Sequence, residues 1–235
     1  MTDTFDFVVV GGGSGGCAVA GRLSEDPKTS VALPDAGGKN DNWVVTTPFA
    51  LVLMVAGNVN NWAFNAVPQK GLNGRIGYQP RGEGLGGSSA INAMVYVRGH
   101  RSDYDQWASL GNTGCSFADV LPYFKPAEDN ADFAGDKTTR RLMETPALRA
   151  LQKNEMFTAG VTTDDDIRAV PRARVDTVYH PVGTTKMGVS DPMAVVDPKL
   201  KVHGVEGLRV VDASVMPTPI GGSTNATGSR FRHAR

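Results

Sequence analysis

Three glycines at fixed spacing, Gly11, Gly13 and Gly16, follow an apolar run and open a helical one, and an acid, Asp35, ends the next apolar run. That order of parts can hold a dinucleotide. Gly11 permits a tight turn, Gly13 lets backbone approach a pyrophosphate, and Gly16 lets the helix pack closely on the strand. The helix N-terminus adds unpaired N–H groups and positive potential. Asp35 is placed to hold the adenosine ribose hydroxyls. The pattern does not by itself separate FAD from NAD. The same residues also spell Gly12-x-Ser14-x-Gly16, the elbow that presents a nucleophilic serine in hydrolases. Such a serine needs His and Asp partners. Asp176 or Asp197 with His203 could fill those roles, although nothing local singles them out.

These residues require particular elements around them. Phe5 to Val10 reads as a short apolar strand, the run through Ala18, Val19, Ala20 and Leu23 as a helix, and Ser30 to Asp35 as a second strand, together a βαβ-like unit. Pro34 conflicts with an interior strand and Pro171 with a helical run. From about 36 to 100 glycine is frequent and helical periodicity poor, so extended segments and loops are expected. Ser116 with Asp119 resembles a capping box for a helix through Leu121 and Phe124, and Thr163 with Asp164 to Asp166 suits another helix start. Leu208 to Val211 reads as a last buried strand delivering Asp212 and Ala213 at its C-terminal end, where α/β sheets place ligands. The basic tail Thr227 to Arg235 is expected to fray.

A second small-residue loop, Gly86, Gly87, Ser88 and Ser89, can bring backbone and hydroxyls close to a pyrophosphate or flavin, with Asn92 an amide donor beyond it. It lies within Pro80 to Asn92 (PRGEGLGGSSAIN), which continues through Tyr96, Gly99 and Asp105 and resembles the first signature of the glucose-methanol-choline (GMC) oxidoreductases. At the other end, His180 to Gly188 (HPVGTTKMG), Val196-Asp197-Pro198, Gly207 to Ser214 (GLRVVDAS), Met216-Pro217-Thr218 and Asn225-Ala226 resemble that family's C-terminal catalytic segment, most closely in bacterial FAD-dependent alcohol and choline dehydrogenases. The resemblance covers roughly residues 5 to 133 and 141 to 226. What the family uses for its large substrate-domain sheet is missing between them, and the segment after Asn225-Ala226 is altered.

The resemblance implies an α/β chain with a Rossmann-like FAD-binding fold on a parallel sheet, its substrate domain largely missing. Residues 1–135 would form the N-terminal FAD-binding part and 136–226 would complete that domain and carry the catalytic pair, leaving 227–235 as the tail. It implies FAD as cofactor, a small-molecule alcohol as substrate and an electron acceptor other than NAD. His180 would take the hydroxyl proton while a hydride leaves for the flavin, and Asn225 would hydrogen-bond the oxygen. Asp212 and Ala213 would contact the flavin side of the cofactor. Glu83 stands where the family usually has a basic or small polar residue, which should weaken cofactor binding. Tyr96, Trp62 and Trp107 read as core or pocket walls. A serine esterase using Ser14 and an inactive remnant are the rival readings.

Composition narrows the partners. Lys plus Arg and Asp plus Glu are both 24, so no net field favours nucleic acid or an anionic membrane. The apolar stretch Phe49 to Gly57 is about half a bilayer span, and the N-terminus lacks a signal-like pattern, giving the expectation of a soluble, cytoplasmic protein. Cys17 and Cys115 suggest neither a disulfide framework nor a metal site. Core left uncovered by the missing segment favours self-association into a homo-oligomer.

Overall fold

The apolar run before the glycine cluster forms strand β1, Phe7–Val8, which pairs in parallel with β2, Val31–Ala32, in the register Phe7 to Val31 and Val8 to Ala32. Helix α1, Ser14–Leu23, connects them, so the βαβ-like unit is present in a computed structural model that describes residues 4–124, 163–174, 179–225 and 227. The ladder continues past the strands: the Val9 N–H donates to the Ala32 carbonyl and the Gly11 N–H to that of Pro34, at 2.8 and 2.9 Å. Pro34 therefore offends no strand, because β2 ends two residues earlier and the ladder uses its carbonyl. Asp6 ties the strand entries together, its carboxylate accepting from the Ser30 N–H and hydroxyl. Those bonds, the hydroxyl first, hold the Asp6 pKa below the ordinary carboxylate value.

The expected apolar strand over Phe5 to Val10 is shorter than its composition suggests and is not covered on its flank. The parallel sheet has two strands among the described residues, and Phe7, Val8 and Val10 are exposed. The region 36 to 100 is also more helical than its glycine content suggests. Helices α2 (Trp43–Thr46) and α3 (Leu51–Ala56) flank a 3-10 turn at Pro48–Ala50, and Asn42 caps α2 by accepting from the Val45 N–H at 3.2 Å. The short hairpin-like pair β3 (Phe64–Asn65) and β4 (Tyr78–Gln79) is antiparallel.

A core lies around α4 (Arg101–Ser109) and α5 (Phe117–Phe124). Tyr104, Trp107, Val120 and Phe124 pack there with Met187, Val196, Leu200, Val215 and Met216, so sequence-distant segments share one apolar cluster. The capping box forms as expected: Asp119 accepts from the Ser116 N–H at 3.1 Å while the Asp119 N–H donates to the Ser116 hydroxyl at 3.3 Å. Trp107 is a core residue, its indole N–H donating to Thr218 at 2.9 Å, whereas Trp62 and Tyr96 are exposed.

Leu208 to Val211 is not a buried strand. Leu208 is exposed, and the segment makes an isolated antiparallel bridge at Lys201 and Arg209, with the Val210 N–H donating to the Leu200 carbonyl. It still ends at Asp212, which caps a 3-10 turn, Ala213–Val215, by accepting from the Ser214 N–H at 2.8 Å. Thr227 also departs from expectation: it is fully buried, its hydroxyl sharing a 2.8 Å hydrogen bond with that of Tyr104. The rest of the tail and Asp176 lie outside the described residues.

The chain divides into two compact units: Met1–Asn65, Tyr78–Ala127 and Val178–Arg235 in one, Ala66–Gly77 and Glu128–Thr177 in the other. In the second, α6 (Asp164–Arg174) starts at the predicted cap, with the Asp166 N–H donating to the Thr163 hydroxyl at 3.1 Å, and its backbone runs through Pro171. No helix among the described residues is long and apolar enough to cross a membrane.

Candidate cofactor cavity and catalytic pair

The site lies wholly within the first unit and is built on the turn after β1. Gly11 takes φ +94°, which a side chain would strain, and a methyl group on Gly16 would collide with the Gly11 carbonyl oxygen. Asp35 closes this turn from just beyond β2, its carboxylate accepting from the Gly12 N–H at 2.6 Å and the Gly37 N–H at 2.9 Å. The acid expected to meet a ribose thus also braces the glycine loop. Gly13 differs from its neighbours: its φ is an ordinary −72°, and no protein atom stands within 4 Å of where a Cβ would be. The space beside it is free on the protein side.

The second small-residue loop docks against the first. Gly86 donates its N–H to the Gly12 carbonyl at 2.8 Å, and Gly87, at φ +50°, approaches so closely that a Cβ would lie 2.8 Å from the Gly13 Cα. The Ser14 and Ser89 hydroxyls share a 2.5 Å hydrogen bond. Ser88 accepts from the Gly82 N–H at 3.2 Å, and Asn92 turns its carbonyl to the Met94 N–H at 2.8 Å. On the far side of α1, a methyl on Gly15 would collide with the Val211 carbonyl, so the Val211–Asp212 segment rests on the first turn of the helix.

These segments line one cavity of about 2140 Å³, shared by Gly11, Gly13, Ser14, Gly87, Ser88 and Asn92 with Asp212, Ala213, His180 and Asn225. The C-terminal pair is held locally. The His180 Nδ1 lies 2.9 Å from the Thr224 hydroxyl, and Asn225 accepts through Oδ1 from the Ser89 hydroxyl at 3.2 Å. His180 is exposed by surface area, yet partial desolvation of its ring at the cavity wall, and secondarily the positive charge of Arg81, holds its pKa below the ordinary imidazole value. Arg81 is itself half-buried and donates to the Pro80 carbonyl at 2.5 Å and the Tyr179 carbonyl at 3.4 Å, while burial lowers its own pKa.

The serine-hydrolase pattern gathers no such support. Ser14 meets a hydroxyl rather than an imidazole, and His203 lies 3.3 Å from the Gly188 carbonyl through Nε2. Asp197 spends one oxygen on the N–H groups of Lys199 and Lys201. Three residues went unnoticed from sequence: Gly15, Arg81 and Thr224. Thr224 precedes Asn225 directly and Arg81 is the middle residue of the PRG triplet, so both stood beside residues already singled out.

Residues 120–229 match the family model described as GMC oxidoreductase. Mitochondrial choline dehydrogenase of Homo sapiens is 46% identical over 133 residues, which is 54% of this chain and 22% of that protein. Oxygen-dependent choline dehydrogenase of Rhizobium etli (strain CIAT 652) is 48% identical over 123 residues, 52% of this chain and 22% of the relative. Among solved structures, pyridoxine 4-oxidase from Mesorbium loti gives a TM-score of 0.49 at 37% identity, covering 52% of this chain and 24% of that one. The matches thus span 22% of the length of these curated relatives.

Proposed function

We propose, from the match of residues 120–229 to the GMC oxidoreductase model and the similarity to choline dehydrogenases, that the chain is an FAD-dependent oxidoreductase of that family acting on the CH–OH group of an alcohol, choline-like or primary, with electrons passed to an acceptor other than NAD. One observation carries this reading: two glycine-rich loops dock so that a cavity bounded by a Cβ-free position, Gly13, also receives His180 and Asn225. That cradle fits a dinucleotide. Gly11, Gly13, Gly16, Asp35 and the Gly86 to Ser89 loop would hold FAD, with Ser14 contributing backbone, Asn92 an amide beyond, and Asp212 and Ala213 on its flavin side. In this reading β1, α1 and β2 are the start of a Rossmann-like domain, which residues 1–135 begin and 136–226 complete.

His180 is the general base. Donation from its Nδ1–H to Thr224 would leave Nε2 unprotonated to take the alcohol proton, and the lowered pKa keeps the ring neutral near neutrality. Asn225 stabilises the oxygen as it becomes alkoxide-like. Bound FAD would supply the acceptor for the hydride leaving the carbinol carbon. Exposed Trp43, Phe49, Val52 and Leu53, which lie outside the cavity lining, support self-association.

Purified chain reconstituted with FAD tests the reading cheaply. A bound-flavin spectrum with dye-linked oxidation of primary alcohols or choline is expected. Release of p-nitrophenol from short acyl esters without flavin would favour the hydrolase, and neither activity would favour the inactive remnant.

A further inference from the structure

A chain of side-chain hydrogen bonds joins the dinucleotide loop to Asn225. It runs from Ser14 at the first position of α1, through Ser89 in the docked loop at 2.5 Å, to Asn225 Oδ1 at 3.2 Å. Proton counting gives it a direction. Asn225 Oδ1 has no hydrogen, so Ser89 must give its only hydroxyl proton to it. The short Ser14 to Ser89 contact must then be donated by Ser14. The chain ends with the acceptor side of the Asn225 amide occupied and its two N–H donors turned away from Ser89.

We infer that Ser89, supported by Ser14, is a positioning residue that fixes the orientation of the Asn225 amide so that it presents donors to the cavity. This deepens, and rests on, the alcohol-oxidising reading above. A side-chain amide flipped by half a turn would present its carbonyl to a developing alkoxide and repel it. The register is protected from both ends. Gly87 packed on Gly13 holds Ser89 against α1, and Thr227, two residues beyond Asn225, is buried against the Tyr104 hydroxyl. Neither serine needs to touch substrate for this role. The same coupling means that the loop serving the cofactor and the donor serving the alcohol cannot shift independently.

The test reads Asn225 directly, in the full chain labelled with 13Cγ-asparagine, its signal assigned by its loss in Asn225→Ala. In Ser89→Ala the Asn225 Cγ resonance should move upfield towards that of a free asparagine side chain, and in Ser89→Thr, which keeps the hydroxyl, it should stay. Should Ser89→Ala fail to fold by near-ultraviolet circular dichroism, Ser14→Ala should move the same resonance in the same direction by less. An unmoved Cγ resonance in a folded variant overturns the inference. So does a change confined to the Asn225 Nδ2 protons, which would mean the amide faces the other way. In turnover, Ser89→Ala should lower kcat about 2- to 10-fold at constant KM, the population change one net hydrogen bond supports, and should have no further effect in an Asn225→Ala background. Additive losses would show that Ser89 does not act through Asn225. Absence of any flavin-dependent turnover in the wild type would overturn the functional reading instead, and the Cγ result would still decide the role of Ser89.

Discussion

Replacing Gly13 with alanine separates a ligand's claim on the glycine loop from the protein's own. At Gly16 a methyl group collides with the Gly11 carbonyl, and at Gly87 it meets the Gly13 Cα at 2.8 Å, so alanine at either damages the fold whatever the loop binds. At Gly13 the backbone already has φ −72° and nothing lies within 4 Å of the new Cβ. Restricting the unfolded chain should add about 0.4–1 kcal/mol, but Gly13 is the N-cap of α1, where alanine caps less well than glycine by a similar amount, so the cofactor-free protein should change in stability by less than about 1 kcal/mol. If a pyrophosphate lies against this backbone, the methyl is forced into an occupied space. Overpacking of that kind costs about 1–3 kcal/mol, equivalent to FAD binding weakened about 5- to 150-fold. Urea unfolding without ligand and flavin-fluorescence titration measure the two effects. Wild-type affinity in Gly13→Ala would refute the placement of the cofactor, and a clear loss of stability without FAD would refute the reasoning from open space.

Three further outcomes follow from the same geometry. Glu83 is not among the residues lining the cavity but stands next in sequence to Gly82, which is, so Glu83→Lys should tighten FAD through longer-range attraction by about 2- to 5-fold in the same titration; unchanged or weaker binding would show that residue 83 does not act on the phosphates. Ser14→Ala should keep FAD affinity within about fivefold, since only its hydroxyl is lost, and a fold-neutral loss of measurable ester hydrolysis would promote the hydrolase reading. Turnover in the wild type should rise with pH as His180 loses its proton. Because partial desolvation and Arg81 lower that pKa, the rise should be centred below the usual imidazole value of about 6.5, and Arg81→Met should move it upward.

Local chemistry was the part legible in the sequence. The glycine cluster between apolar runs gave β1, α1 and β2, and the Ser116–Asp119 and Thr163–Asp166 pairs gave two helix starts, because caps and turns are decided by neighbours within a few residues. Trp43–Thr46 and Leu51–Ala56 were missed because helices this short show no periodicity. Leu208 to Val211 has strand composition but pairs through a single bridge, which only its tertiary neighbours decide. The meeting of Gly13 with Gly87 and of Ser89 with Asn225 spans separations that no spacing rule reaches. Resemblance placed His180 and Asn225 together; it did not reveal Thr224, Arg81 or the serine chain that holds them.

The most direct measurement is the anaerobic reduction of bound flavin by alcohol, followed by absorbance in the FAD-loaded wild type, His180→Ala and Asn225→Ala. The wild type should bleach on adding a primary alcohol or choline. His180→Ala should retain the flavin spectrum yet bleach at least about 10²-fold more slowly, with Asn225→Ala slowed more mildly. A fully loaded His180→Ala that bleaches at the wild-type rate, or a fully loaded wild type that no alcohol bleaches, would contradict the account.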